Sequence, residues 1–188
     1  TRTRRELEVE HLHEGSASVA SSADVLLDDA GRHSRVSSDR EQRLAAFMAV
    51  DSIACRVSPE ALCHVDSERD LPVMQALKQL RPMLDDCGWV WGVSGSAGFE
   101  LASGFAALHE ASDLDLILRT PHPLARDQAR ELVALLDATP CVVDMQLQTS
   151  FGAVALREWA GSSTRVLLKN ATGACLVIDP WNPQEQAA

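Results

Sequence analysis

Two aspartates separated by one leucine, Asp113 and Asp115, sit in the stretch Ser112-Asp-Leu-Asp-Leu116. They alternate with Leu114, Leu116 and Leu118, so in a strand both carboxylates leave one face while the leucines enter the core. Two acids on one face can hold one or two hard divalent cations. Mg²⁺ typically takes one or two carboxylates and completes its shell with substrate phosphates, which suits this pair better than a sulfur or imidazole site would. Upstream, Gly95 and Ser96 end an apolar run, Trp89 to Val93, that reads as a buried strand, and Gly98 opens a short helix. A strand-to-helix turn of this kind points backbone N–H groups at one spot, where a phosphate can sit. Downstream, Val143, Met145 and Leu147 alternate with Asp144, Gln146 and Gln148, a half-polar strand whose acid can stand beside the first pair. The chemistry these parts suggest is metal-assisted nucleotidyl transfer. Gly95 and Ser96 would hold outer phosphates, Asp113 and Asp115 would hold Mg²⁺, and Asp144 would ligate a second cation or accept the proton of the attacking hydroxyl. Lys169, at the end of a predicted strand, is the first candidate to counter the phosphate charge, with Arg119 and Arg165 behind it.

The elements that must position these groups follow from periodicity. Residues 1–37 contain no aromatic residue, and seven serines fall between Ser16 and Ser38, so this segment is expected to be flexible unless a partner covers Val25–Leu27. His11 and His13 lack further converging ligands and read as solvated tail. A small helical part is expected over 38–86. Ser38-Asp-Arg-Glu41 is a capping box ahead of Leu44, Phe47 and Met48, and Ser58-Pro59-Glu60 starts a short helix over Ala61 and Leu62. A third helix begins near Leu71, with Val73, Ala76, Leu77, Leu80 and Leu84 on one stripe and Pro82 expected to kink or end it near Leu80. Over 87–181 the catalytic core should contain the strand and turn at 89–96, a helix over Phe99 to Ala107, and the Asp-x-Asp strand. A helix with Ala129, Leu132, Val133 and Leu136 inward and Arg126 and Arg130 outward should follow, then the Asp144 strand. A helix over Gly152 to Trp159 and two strands, Arg165 to Lys169 and Ala174 to Ile178, should close it around a turn at Asn170–Gly173. Residues 182–188 read as a polar tail.

Composition narrows the function. Hydrophobic residues make up 46% and charged ones 23%, ordinary for a globular protein. With 17 basic and 27 acidic residues the formal charge is -10, and an acidic surface repels polyanions, so nucleic acid is not the expected substrate. The five cysteines are odd in number and form no C-x-x-C pair, which reads as reduced, partly buried thiols. No stretch approaches the roughly 20 apolar residues of a membrane span, and no apolar signal-like core follows the Thr-Arg-Thr-Arg-Arg start. A cytoplasmic location without membrane attachment is expected.

Gly-Ser, then Asp-x-Asp, then a lone Asp on a later strand is the order of parts in the polymerase-beta-like nucleotidyltransferase fold. The expected class is therefore α+β, a mixed sheet with helices packed on it. The sequence resembles a narrower family through Trp91 to Gly104, Ser112 to Leu116, Val143-Asp-Met-Gln-Leu-Gln-Thr149, Gly152 to Trp159, Val166-Leu-Leu-Lys169 and Asp179-Pro-Trp181. That family is the phosphoribosyl-dephospho-CoA transferases of malonate decarboxylase, also called malonate decarboxylase holo-acyl-carrier-protein synthases. The resemblance runs from about Gln42 to Trp181. Ahead of it, Val36-Ser-Ser-Asp-Arg40 replaces a glycine-containing segment. It implies an enzyme that attaches a prosthetic group. The phosphoribosyl-dephospho-CoA part of 2′-(5″-triphosphoribosyl)-3′-dephospho-CoA would move onto a serine of the acyl-carrier subunit, with release of pyrophosphate. Asp113 and Asp115 match the family's active-site aspartates and Gly95 and Ser96 its Gly-Ser turn. Asp144 sits in the matching strand, with a role taken from the wider fold.

Two other classes are compatible with the residues: a nucleotidyltransferase using an ordinary NTP on a small molecule or RNA, and a catalytically silent relative that binds the carrier. The three aspartates argue against silence. Glu100 reads as structural, His109 and His122 as solvent-facing, and Trp159 and Trp181 as core anchors. If the carrier is acidic, docking on this acidic chain needs a basic patch, for which Arg126, Arg130, Arg157 and Arg165 are the candidates.

Overall fold

The computed structural model describes residues 25–27 and 53–183. The remainder of 1–37, the helix start at Ser38–Glu41 and residues 184–188 lie outside the described residues. Two short strands, β1 (Val25–Leu27) and β2 (Cys55–Val57), pair antiparallel, so the partner of Val25–Leu27 is this chain's own strand. A six-stranded sheet follows, in spatial order β3 (Val90–Val93), β4 (Leu114–Arg119), β5 (Val143–Thr149), β6 (Gly152–Ala155), β7 (Val166–Asn170) and β8 (Gly173–Val177). Among the described residues only β4 and β5 run parallel, and helix α3 (Arg126–Asp137) provides the crossover that a parallel pair requires. The expected mixed α+β architecture is therefore present.

Alternation builds one buried face. Leu114, Leu116 and Leu118 of β4, Val143, Met145 and Leu147 of β5, Val154, Val166, Leu168 and Val177 are all buried. Against them lies α1 (Pro72–Asp86), through Val73, Ala76, Leu77, Leu80 and Leu84, while the 3-10 turn Pro59–Leu62, predicted from its Ser-Pro start, sets Pro59 against Gly92 on the opposite face of β3. These side chains form one continuous cluster, so residues 57–84 share the core of the sheet. Trp159 and Trp181 anchor its far side. Their rings meet edge to face at 5.1 Å, and their indole N–H groups donate to the carbonyls of Leu124 and Thr120.

Three elements and one side chain depart from the expected pattern. Helix α1 passes through Pro82 to Asp86 because Pro82 and Lys78 lie on the exposed side, where water can take the carbonyl the proline cannot bond. Helix α2 occupies Gly95–Ser103, not Phe99 to Ala107. Its first bonded N–H is that of Gly98, to Ser94, and Gly104 ends it at φ +75°. The segment Gly152 to Trp159 is strand β6 followed by a short helix α4 (Leu156–Ala160). Gly152 sits at φ +149° with the Lys169 carbonyl where a Cβ would be, and Thr149 Oγ accepts the Phe151 N–H, so the chain closes a tight hairpin where a helix had been expected. Arg126 turns inward from α3, stacking over the Trp159 ring at 4.1 Å and donating to the carbonyls of Trp159 and Gly161. The last hairpin matches, with Asn170 and Gly173 paired and the Asn170 side chain accepting two turn N–H groups.

The segment between α2 and β4 has no regular structure, yet it is fixed. Glu100, 7% exposed, accepts N–H groups of Ala107 and Leu108 at 2.6 and 2.8 Å and takes Arg69 Nη1 on both oxygens. Arg69 Nη2 donates to the Leu108 carbonyl. Burial alone would raise the Glu100 carboxyl, but the Ala107 N–H, the Arg69 guanidinium and the Leu108 N–H together hold it below the usual carboxylate range. A carboxyl lowered in the folded state stabilises the fold above its unfolded pKa, and that contribution is lost as pH falls through the folded value. Chemical denaturation should accordingly show stability falling with acidification below about pH 4.5, and Glu100→Gln should flatten that fall. Arg69→Ala should cost about 1–3 kcal/mol at neutral pH, because it strands charged hydrogen-bond partners. At Gly92 an added Cβ would stand 2.5 Å from the Pro59 carbonyl carbon. Gly92→Ala should destabilise by roughly 1–3 kcal/mol in urea unfolding, and an unchanged midpoint would contradict this packing.

Candidate active site

The site is assembled where β3 ends and β4 begins. Ser94 donates its N–H to the Asp115 carbonyl at 2.9 Å, which locks the end of β3 to the start of β4. Gly95 then turns the chain at φ +60° into α2, and the Asp115 carboxylate lies against it, in the space a Cβ would fill. A glycine is needed on both counts, conformation and room. Ser96 occupies the first turn of α2, half-buried. The turn expected to hold phosphate and the second aspartate of Asp-x-Asp are thus in direct proximity.

Parallel register brings in the third strand. Asp115 and Asp144 are partners across β4 and β5, and on β5 the buried Val143, Met145 and Leu147 leave Asp144, Gln146 and Gln148 on the opposite side. Asp113 lies one residue ahead of β4. It stands near Cys141, whose thiol is pushed up by burial and by the Asp113 charge. The adjacent pair is therefore Asp115 with Asp144, and Asp113 flanks it from the connection.

Among the described residues no group of three His, Cys, Asp or Glu side chains converges to cage a metal. Asp115 and Asp144, register partners on one face with the Asp115 carboxylate against a glycine turn, are the residues that could hold Mg²⁺ of the kind that draws its other ligands from phosphates.

One neighbour was not anticipated from the sequence. Arg157, the second residue of α4, ion-pairs with Asp137 at 2.7 Å, donates to the Val143 carbonyl at 3.2 Å and places Nε 3.9 Å from Asp144 Oδ1. It braces the strand that carries Asp144. Its position depends on β6 being a strand, which the expected helix over Gly152 to Trp159 obscured. With Arg126 on Trp159 and Arg130 paired to Asp127, three of the four arginines considered for docking are engaged locally.

Lys169 stands on the same face of the sheet as Asp144, but not beside it. Its register partner is Ala153, which in turn partners Gln148, itself opposite Arg119. Arg119 donates through Nε to Glu60 at 2.7 Å and, with Pro121, Gln148, Thr149 and Ser150, lines a cavity of about 240 Å³. His109 and His122 are exposed, as their loop positions implied. Cys63, buried, donates its S–H to the Trp91 carbonyl at 3.0 Å, and burial with the nearby Glu60 and Asp85 charges pushes its thiol up to about 12. No disulfide joins the cysteines, and Cys175 is exposed on β8. No helix among the described residues is long and apolar enough to cross a membrane.

Comparison with known proteins points the same way as the motifs. The family described as the phosphoribosyl-dephospho-CoA transferase MdcG C-terminal domain matches residues 61–180, a span that holds every site residue named above except Glu60. Curated relatives named phosphoribosyl-dephospho-CoA transferase include one from Pseudomonas fluorescens strain Pf0-1, 78% identical over 149 residues, which is 79% of this chain and 72% of the relative. Another, from Pseudomonas syringae pv. tomato, is 58% identical over 151 residues with the same shares covered. One from Azotobacter vinelandii is 51% identical over 148 residues, 76% of this chain and 69% of the relative. No solved structure matches the chain. On a match of that extent and identities at that level, the chain belongs to the phosphoribosyl-dephospho-CoA transferase family and is a transferase.

Proposed function

We propose that this protein transfers the phosphoribosyl-dephospho-CoA group of 2′-(5″-triphosphoribosyl)-3′-dephospho-CoA to a serine of the acyl-carrier subunit of malonate decarboxylase, releasing pyrophosphate, on a site of the polymerase-beta-like nucleotidyltransferase kind. The observation that carries the reading is the register pairing of Asp115 with Asp144 against the Gly95 turn, within a chain of this family. We place the reaction in the cytoplasm, where the thiols stay reduced.

Asp115 and Asp144, with Asp113 flanking, are the residues to hold Mg²⁺. When bound, that ion supplies positive charge to the phosphate oxygens and to the departing pyrophosphate. The first turn of α2, with Gly95 and Ser96, orients the outer phosphates through backbone N–H groups. The serine oxygen of the carrier forms a bond to the α-phosphorus as the bond from that phosphorus to the pyrophosphate oxygen breaks. The serine proton passes to the Asp144 carboxylate, and pyrophosphate leaves with the bonding electron pair. Arg157 keeps Asp144 oriented for this step. Lys169, on the same face but away from the aspartates, supplies positive charge to a phosphate of the substrate remote from the reacting phosphorus.

Incubating the full chain with Mg²⁺, the triphosphoribosyl precursor and apo carrier should release pyrophosphate and raise the carrier's mass by the transferred group. ATP in place of the precursor should do neither. Asp115→Asn or Asp144→Asn should lower the rate by about 100-fold or more, and removal of Mg²⁺ with a chelator should abolish it. Gly95→Ala should slow transfer by at least roughly tenfold, since its Cβ meets the Asp115 carboxylate. Active, folded components that yield no pyrophosphate would overturn the proposal.

A further inference from the structure

The face that carries the aspartates holds a second set of polar groups. Strand register sets Arg119 beside Gln148, Gln148 beside Ala153, and Ala153 beside Lys169, and cross-strand partners project to one side of a sheet. The row lies four residues beyond Asp144, about 13 Å along the strand. It crosses three strand spacings, about 14 Å of backbone, with a cation at each end. Its Arg119 end opens on the cavity of about 240 Å³, whose lining of Arg119, Pro121, Gln148, Thr149 and Ser150 contains no acid. Glu60, from the turn packed on the same face, accepts the Arg119 Nε–H at 2.7 Å and fixes the guanidinium there. Burial would raise the Glu60 carboxyl, but the hydrogen bond and charge of Arg119 bring it below the usual carboxylate range.

The substrate of the reading above has two separate phosphate groups. One is the triphosphate that reacts. The other is the diphosphate joining adenosine to pantetheine, and two sugars stand between them. A diphosphate without its own metal cannot rest against the Asp115 and Asp144 carboxylates, so it needs cations at a distance from the reacting phosphorus and on the same face. We infer that the Arg119–Gln148–Ala153–Lys169 row is the binding site for the adenosine-linked diphosphate of the dephospho-CoA part. Arg119 and Lys169 flank the diphosphate, the Gln148 amide donates between them, and the methyl of Ala153 leaves room above the sheet. Lys169 then serves this diphosphate and not the reacting triphosphate. The inference rests on the proposed substrate, but it is tested by binding alone.

Titration calorimetry with the full chain and dephospho-CoA, in the absence of Mg²⁺, is the experiment. The wild type should bind, and Lys169→Gln, an exposed strand-end change that leaves the core intact, should weaken binding about tenfold and flatten its salt dependence. The same variant should leave binding of Mg²⁺-tripolyphosphate within about twofold, whereas Asp115→Asn should show the reverse pattern. Adenosine and pantetheine, which lack the diphosphate, should be insensitive to Lys169→Gln. Failure of dephospho-CoA to bind the wild type, an unchanged affinity in Lys169→Gln, or a loss confined to Mg²⁺-tripolyphosphate would each overturn the assignment. Absence of transfer to the carrier, with Lys169-dependent dephospho-CoA binding intact, would instead overturn the proposed reaction and leave this site standing.

Discussion

The seating of the Asp115 carboxylate against Gly95 is the constraint on which the site depends. It requires a left-handed glycine, a backbone bond from Ser94 to Asp115, and a β3–β4 pairing in which Val93 and Leu116 are partners. Each of these is enforced by burial elsewhere, because Val93, Leu114 and Leu116 have almost no exposed surface. The leucines of the Asp-x-Asp strand therefore do two things at once. They fill the core, and by the alternation of the strand they turn the aspartate toward the turn and toward Asp144.

Rigidity around that contact comes from charge as well as packing. Glu100 gathers Arg69 and two backbone N–H groups, pinning the otherwise irregular segment that delivers Asp113. Arg157 ties the end of α3, the first residue of β5 and Asp144 together through its three nitrogens. Both arrangements use the fork geometry of a guanidinium, which a lysine would not reproduce. The acidic excess of the chain is thus offset locally, at the elements that hold the carboxylates.

Much of this was legible in the sequence. The acids, the Gly-Ser turn, the Asp144 strand, the crossover helix and the closing hairpin all followed from periods of two and near four residues and from turn chemistry. The misplaced elements share one cause. In Pro82, in Gly152 and in the boundaries of α2, the local signal was real but its outcome turned on what lay outside the segment: solvent beside Pro82, the Lys169 carbonyl beside Gly152, and the Glu100 carboxylate waiting for the N–H groups of Ala107 and Leu108. Arg126 shows the same effect on a side chain. Helical spacing put it outward, and the Trp159 ring drew it in.

By itself the sequence determined which residues could do chemistry and which faces of their strands would be buried, because alternation and apolar burial are local properties. It could not determine which acids are neighbours. Spacing along the chain favours Asp113 with Asp115, yet a parallel strand beginning about thirty residues later supplies Asp144 as the register partner of Asp115. Nor could it set Lys169 in line with Arg119 and away from the aspartates, since that depends on the registers of three strand pairs in succession. Register is decided by how side chains from distant segments fill one core, and only the tertiary structure closes that packing.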